Sequence, residues 1–117
     1  MSDAFLEEFS AAIDQFASER DWQQFHAPKN LSMALIVEAA ELVEHFQWLS
    51  ERQSEELDHD QRAAVAEELA DILIYTLRLA SQMEIDLDSA AWAKLEKNRH
   101  KYPVEKARGT ARKYTEL

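Results

Sequence analysis

Two pairs of carboxylates, each pair separated by two residues, are the part of this sequence best suited to chemistry. Glu38 and Glu41 lie in the segment LIVEAAELVEHF, and Glu68 and Asp71 lie in the later segment AEELADILIY. Side chains three residues apart share one side of an α-helix, so each pair can turn two carboxylates toward one cation. Hard divalent ions prefer oxygen ligands of this kind. The pattern therefore predicts a metal site built from both pairs, with Mg²⁺ as the first choice and Mn²⁺ as the second.

The segments that carry these acids are predicted to be helices. Apolar spacing predicts four helices: residues 3–19, 31–50, 61–84, and a fourth that Asp86 or Asp88 caps and that ends near Tyr102. We expect Asn30 to cap the second helix and Pro103 to stop the fourth. The polar residues 50–60 predict a loop with a short helical fragment. Only one glycine and two prolines interrupt the 117 residues, which favours an all-α single domain over 1–117, with 103–117 as a C-terminal tail.

In both central helices the acids fall at the border of the apolar face. At about 100° per residue, the apolar arcs contain Leu31, Leu35, Leu42 and Phe46 in one helix and Val65, Leu69, Ile72, Leu79 and Met83 in the other. Half-buried carboxylates repel one another unless a cation lies among them, and Arg78 is the one basic residue that follows the acids within these helices. This placement supports the metal site. The sequence does not decide whether Glu67 binds a second metal ion or faces solvent.

A di-iron centre is disfavoured as an alternative. Di-iron helical bundles use Glu-x-x-His pairs, whereas Glu41 is followed three residues later by Glu44 and Glu68 by Asp71. The available ligands are oxygens, and they favour Mg²⁺.

A second group of residues lies in the connection before the second helix. Trp22, His26, Lys29 and Asn30 fall close together there, and Trp48 follows the first acid pair by two turns. Rings of this kind can stack on a planar ligand, while the polar side chains can bind its edges or its phosphates. Taken singly, each of these residues is explained equally simply as a core ring or a helix cap.

The charge distribution narrows the classes of partner. The net charge is −10, from 23 acids against 13 bases, which predicts no nucleic-acid polymer as a partner. Basic residues concentrate after position 93, where Lys94, Asn98 and Tyr102 share one helix face. That segment is either a solvated helix end or a wall for a small anion such as a phosphate. The absence of cysteine and of any apolar stretch near 18 residues predicts a cytoplasmic protein without a membrane partner.

Four segments in order resemble the MazG-like nucleotide pyrophosphohydrolases, and most closely the branch that contains the dCTP pyrophosphatases. They are RDWQQFHAPKNLSMALIVEAAELVEHFQW, EELADILIYTLRLA, KLEKNRHKYP and ARKYTEL. The resemblance runs from about Phe9 to Leu117. It includes the E-x-x-E and E-x-x-D motifs of that family, present here as Glu38, Glu41, Glu68 and Asp71. Val37 stands where the wider family often has a second glutamate.

The resemblance implies a fold, an activity and further site residues. The fold would be four helices per chain, assembled into a homodimer or a dimer of dimers (a homotetramer). The activity would be Mg²⁺-dependent hydrolysis of dCTP or a modified dCTP between the α- and β-phosphates, with the four acids as the catalytic metal ligands. The implied nucleotide-binding residues are Trp22 and Trp48, which would stack on the base, and His26, Tyr75, Lys94, Asn98 and Tyr102, which would line the pocket. Two alternatives stay open: the same reaction on dUTP or a broader nucleotide set, and a non-catalytic metal-binding dimerisation module.

Overall fold

All regular structure in the described part of the chain is helical. The computed structural model describes residues 4–117. Its elements are α1 (Phe5–Glu19), a 3₁₀ helix (Gln23–Phe25), α2 (Pro28–Glu44), α3 (Glu51–Ser54), α4 (His59–Gln82), α5 (Leu87–Lys101), α6 (Val104–Ala107) and a second 3₁₀ helix (Tyr114–Glu116). The chain divides into two compact units, the first ending at Ile85 and the second running from Asp86 to Leu117. The all-α class is confirmed, and the single domain over 1–117 stays a prediction.

The first unit is organised around α4, which packs against both α1 and α2. Its buried apolar side chains are Ile13 and Ala17 from α1, Leu31 from α2, and Leu77 and Ala80 from α4. The pairs on α1 and α4 are four and three residues apart, so each pair lies on one helix face. This packing brings the acidic segments of α2 and α4 together.

The ends of α1 and α4 are closed without glycine. Asp21 and Glu84 adopt the left-handed conformation just after the two helices, each with φ of 55°. At the end of α1, the Trp22 amide donates to the Ala17 carbonyl over 3.0 Å, which is the long bond of a Schellman motif. The tight reversal fixes the direction in which the chain enters the connection that carries Trp22.

Among the helices of residues 4–117, three begin with a side-chain cap. Ser50 and Gln53 form a reciprocal capping box at α3, and Asp58 and Gln61 form a second one at α4. At α5, Asp86 accepts a hydrogen bond from the amide of Ser89. The helical fragment within residues 50–60 is therefore confirmed, as is a cap at Asp86.

The predicted boundaries of the second helix are wrong at both ends. Pro28 is its first residue and Ala27 caps it in an extended conformation, with ψ of 146°, because proline favours the first helical turn and excludes helix in the residue before it. Asn30 lies inside the first turn and donates its amide to the Phe25 carbonyl over 3.2 Å. The helix ends at Glu44, after which bonds between residues three apart tighten the chain into turns.

Two residues of the predicted apolar arc of α4 are not buried. Leu69 and Met83 are each 52% exposed. The helix packs against two neighbours, so its fully buried residues shift to Leu77, Arg78 and Ala80 rather than following one stripe. In the second unit, the predicted tail contains α6 and the second 3₁₀ helix joined by irregular chain.

Within residues 4–117, none of the helices combines the length and the apolar character needed to cross a bilayer.

Candidate functional site

Three of the four predicted acids meet where α2 packs on α4. Glu38 and Glu41 come from α2 and Glu68 from α4, and one carboxylate oxygen of each lies within 4.8 Å of the other two. All three side chains are half-buried. Carboxylates from two helices converge here on a volume the size of one ion, which is the geometry the sequence predicts.

Two oxygens of the cluster have no hydrogen-bond partner among the described residues. Oε2 of Glu38 and Oε2 of Glu68 are shielded from solvent and accept no hydrogen bond from the described residues. Burial raises the pKa of Glu38 to about 7, and the neighbouring carboxyls of Glu41, Asp71 and Glu68 add to the increase. Buried acceptors without donors are costly, so the arrangement is chemically incomplete as it stands. A hard divalent cation fits it, because such an ion takes several oxygen ligands and offsets their charge.

Asp71, the fourth predicted acid, lies beside the cluster rather than within it. Its charge contributes to the raised pKa of Glu38 and to that of Tyr75. The Tyr75 hydroxyl is held protonated mainly by burial and then by the charges of Glu38, Asp71 and Glu41. Tyr75 therefore borders the acids, where the sequence places it.

Two other ionisable residues, His45 and Glu67, lie close in sequence to the acids, and only His45 is half-buried. Nε2 of the half-buried His45 lies 3.8 Å from Oε1 of Glu68. Glu67, which the sequence left open, is exposed.

The connection before α2 is fixed by aromatic contacts and by a buried arginine. Trp22 packs edge-on against Phe16, at 5.5 Å between ring centres, and against His26 at 6.2 Å. The ring of His26 accepts a hydrogen bond at Nδ1 from Nε of Arg78 over 2.9 Å. Arg78 is only 4% exposed, and its Nη1 donates to Oδ1 of Asp14 over 2.8 Å.

Sequence reasoning missed this role of Arg78, which it treated only as a cation available to the acids. Its signal is a lone basic residue in the otherwise apolar segment ILIYTLRLA. Charged residues are rarely buried unless paired, so such a residue predicts a distant partner without naming it.

The remaining predicted nucleotide-binding residues of the first unit are open to solvent. Trp48 is 87% exposed and Trp22 42% exposed. Lys29 and Asn30 are exposed at the start of α2. Trp48 therefore has nearly all of its ring surface available for contact.

Three predicted residues belong to the second unit. Lys94 and Asn98 lie on α5, and Tyr102 follows it, with its ring edge-on to Tyr114 at 6.0 Å. Lys94 is exposed, Asn98 half-buried and Tyr102 38% exposed. Their part in a site with the acids stays a prediction.

Comparison with known proteins identifies the family. The sequence profile of the MazG-like family matches residues 33–117, which include the four acids, α4 and all of α5. The chain belongs to the MazG-like family. The predicted resemblance is thus confirmed.

Individual MazG-like relatives agree with this assignment. Proteins named dCTP pyrophosphatase 1 from Rattus norvegicus and Homo sapiens are 46% and 45% identical to the chain over 114 residues, a span that covers 96% of this chain and 67% of each relative. The crystal structure of a pyrophosphatase from Archaeoglobus fulgidus DSM 4304 superposes with a TM-score of 0.80 at 38% identity, covering 88% of this chain and 96% of that one.

Proposed function

We propose that this protein hydrolyses dCTP, or a modified dCTP, between the α- and β-phosphates to release the monophosphate and pyrophosphate. The observation that carries the proposal is the carboxylate cluster of Glu38, Glu41 and Glu68, with its two buried oxygens that lack partners. The relatives named dCTP pyrophosphatase 1 and the pyrophosphatase structure support the reaction class. Removal of unwanted nucleotides from the cellular pool is the physiological role that fits such a reaction.

The proposed cofactor is Mg²⁺, with Mn²⁺ as a substitute. Glu38, Glu41 and Glu68 would hold it, with Asp71 as the fourth ligand or the ligand of a second ion. When bound, a divalent ion supplies charge neutralisation for the triphosphate and polarisation of the phosphoryl group. The all-oxygen donor set supports Mg²⁺, since softer transition metals favour imidazole and thiolate.

The proposed nucleotide contacts follow from the exposure and position of the predicted residues. Trp22 and Trp48 are exposed side chains that would stack on the base. The family resemblance implies further contacts from His26, Tyr75, Lys94, Asn98 and Tyr102. Lys29 and Asn30 are added because they are exposed at the start of α2, directly after the connection that carries Trp22 and His26. Stacking alone accepts any base, so the preference for cytosine rests on the named relatives.

The decisive experiment is turnover of a panel of deoxynucleoside and ribonucleoside triphosphates with Mg²⁺, with products identified by ³¹P NMR. We expect monophosphate and intact pyrophosphate, formed fastest from cytosine nucleotides. Inorganic phosphate as the first product would contradict the proposed bond cleavage. A maximum with dUTP, or equal rates with many bases, would keep the reaction and move the specificity. No turnover by the folded protein would favour a non-catalytic metal-binding module.

A matched pair of variants on α2 distinguishes the loss of a site carboxylate from a general effect of removing a charge from this helix. Glu41→Gln removes one carboxylate of the cluster, whereas Glu44→Gln neutralises an exposed carboxylate one turn further on. We expect a rate lower by roughly 100-fold or more for Glu41→Gln, because a charge-stabilising group is lost, and a rate near wild type for Glu44→Gln. Equal effects of both changes would contradict the assignment.

We also propose that the chain assembles into a homodimer or a dimer of dimers through α2. Its exposed apolar side chains Met33, Ile36, Val37 and Val43 support this, at 55%, 66%, 54% and 54% exposed. A helix with so much exposed apolar surface is typical of a protein interface. Light scattering should give two or four times the chain mass of 13.6 kDa.

Substitution on α2 tests the same interface. Ile36→Lys should shift the mass toward one chain, while Gln47→Lys, an exposed position just beyond α2, should not. A monomeric wild type would contradict the assembly.

The cytoplasmic location and the lack of nucleic-acid or membrane partners stay predictions of the sequence.

A further inference from the structure

A partly buried hydrogen-bond network links α1, α4 and the connection before α2. Arg78 on α4 lies at its centre, with Nε donating to Nδ1 of His26 over 2.9 Å and Nη1 donating to Oδ1 of Asp14 over 2.8 Å. The hydroxyl of Ser81 donates to the other oxygen of Asp14 over 2.6 Å. All four residues belong to the first unit of the chain.

The direction of the bond from Arg78 to His26 fixes the protonation of the imidazole ring. A guanidinium group has only donors and stays protonated in proteins, so Nδ1 of His26 must accept with its lone pair. A neutral imidazole that accepts at Nδ1 carries its proton on Nε2. Burial, and then the charge of Arg78, lower the pKa of His26, which favours the neutral ring that this hydrogen bond requires.

The backbone of His26 is held by the same helix. Nε2 of Gln82, one turn after Arg78 on α4, donates to the His26 carbonyl over 3.2 Å. On the other side, the His26 ring meets the edge of Trp22 at 63° between ring planes. Ring and main chain are therefore both oriented, and Nε2 of His26 makes no hydrogen bond within the described residues.

Stability alone does not account for Arg78. Its Nη2 is buried and has no partner among the described residues, and Asp14 retains 38% side-chain exposure. Buried ion pairs are often no more stabilising than well-packed apolar residues of similar volume. A methionine could fill the same space without an unpaired donor, so the network is weak evidence for a purely stabilising role.

We propose that Arg78 is a positioning residue that holds His26 as the neutral Nε2–H tautomer, so that the ring donates a hydrogen bond to an acceptor atom on the nucleotide base. The ligand in this inference rests on the proposed function, whereas the tautomer does not. A neutral donor suits a carbonyl oxygen or a ring nitrogen of a base. A triphosphate would instead be matched by a cationic side chain such as Lys29 or Lys94.

The first test is the tautomer in the free protein. ¹⁵N NMR of the imidazole rings distinguishes a protonated from an unprotonated ring nitrogen, and His26→Gln assigns the signals among the four histidines. We expect Nε2 protonated and Nδ1 unprotonated at pH 7.5. A ring protonated at Nδ1 would overturn the inference, whatever the protein does with nucleotides.

The second test assigns the cause to Arg78. Arg78→Met removes the donor to His26, and we expect the ring to exchange between tautomers. Asp14→Asn is the matched control, because it neutralises the other partner of Arg78 and leaves the bond to His26 in place; there we expect the wild-type tautomer. An unchanged tautomer in folded Arg78→Met would overturn the assignment. The wild-type spectrum remains decisive if that variant does not fold.

The third test connects the tautomer to the nucleotide, with α,β-methylene-dCTP and Mg²⁺ as a non-hydrolysed probe. Binding should move the Nε2 resonance of His26 more than Nδ1, and Arg78→Met should weaken binding roughly 5- to 10-fold, the effect of one hydrogen bond. In a His26→Ala background, Arg78→Met should cause no further loss, since it acts through His26.

Two results would oppose the donor role. Additive losses, or no change at Nε2 in a wild-type protein that binds the probe, would overturn it. No binding by wild type would overturn the proposed function together with the donor role, while the tautomer of the free protein is decided by its own spectrum.

Discussion

Glu38 on α2 and Glu68 on α4 face each other across a helix contact, and each buries one carboxylate oxygen that accepts no hydrogen bond from the described residues. Two such acids destabilise a helix pair, because like charges in a partly buried site repel and lose hydration. α2 and α4 each contribute a buried leucine to the core, Leu31 and Leu77. This apolar packing holds the two helices in place despite the repulsion between the acids. A divalent cation bound among these oxygens would offset the repulsion and the lost hydration.

Neutralising Glu38 should stabilise the metal-free protein. Its folded pKa, about 7, lies above the usual carboxyl value of 4.5, so the stability that its protonated form contributes is present below pH 4.5 and is lost as the pH rises through about 7. Glu38→Gln keeps the shape and removes this loss. In EDTA at pH 8 we expect a gain on the order of 1 kcal/mol in the free energy of unfolding, measured by urea denaturation.

The matched control for that measurement is Glu44→Gln, which changes the same helix at an exposed carboxylate. It should alter stability by less than about 0.5 kcal/mol. The gain from Glu38→Gln should also shrink toward pH 5. A gain that does not depend on pH would contradict charge repulsion as its cause.

Magnesium should stabilise wild type and fail to stabilise the cluster variants. A ligand that binds only the folded state adds about 2.7 kcal/mol at a concentration 100 times its dissociation constant. We expect a rise in Tm with Mg²⁺ or Mn²⁺ for wild type and Glu44→Gln, and little or none for Glu41→Gln or Glu68→Gln. Differential scanning fluorimetry with and without EDTA measures it. A full shift in Glu68→Gln would exclude Glu68 as a ligand.

His26 should give the opposite pH trend. Burial and the charge of Arg78 lower its folded pKa below the usual 6.5, so the unfolded state binds more protons between the two values. The stability associated with neutral His26 is therefore present above pH 6.5 and is lost as the pH falls through the folded pKa. The charged groups of this network are Arg78 and its partner Asp14.

Unfolding in urea between pH 5 and pH 8 tests this trend. The stability of wild type relative to His26→Gln should fall as the pH drops below 6.5. Both proteins contain Glu38, so its contribution to the pH dependence cancels in the comparison. The exposed Gln47, which does not titrate, provides the control, since Gln47→Ala should give a difference that changes little with pH. A constant wild-type advantage over His26→Gln would show that the histidine is not held neutral.

Helix boundaries marked by a single local signal were predictable from the sequence. The boundaries of α2, where several local signals compete, were not. α1, α4 and α5 begin and end close to the predicted positions because apolar spacing and the cap at Asp86 are local features. The early end of α2 was missed, although the capping pair Ser50 and Gln53 signals a new helix start just beyond it. Asn30 is not the cap because Pro28 is a favourable first helical residue, and the helix begins there.

The pairing of acids on one helix was predictable because it depends on local spacing. The hydrogen bonds of Arg78 were not predictable. Glu38 and Glu41 are one turn apart on one helix, so their convergence follows from helix geometry. Arg78 meets Asp14 and His26 across 64 and 52 residues of sequence. No helical period relates residues so distant, and the pairing appears only once α1 and the connection have packed against α4.

Truncation of Leu31 should distinguish the core of one chain from a surface between chains. Leu31 is 1% exposed, so Leu31→Ala should cost about 2–5 kcal/mol at any protein concentration, from lost burial and the cavity left behind. Ile36 lies on the same helix at 66% exposure. Any loss from Ile36→Ala should therefore depend on protein concentration, because it would act through assembly. Thermal unfolding of both variants across a hundredfold range of concentration measures this. A concentration-dependent loss in Leu31→Ala would place that residue at an interface rather than in the core.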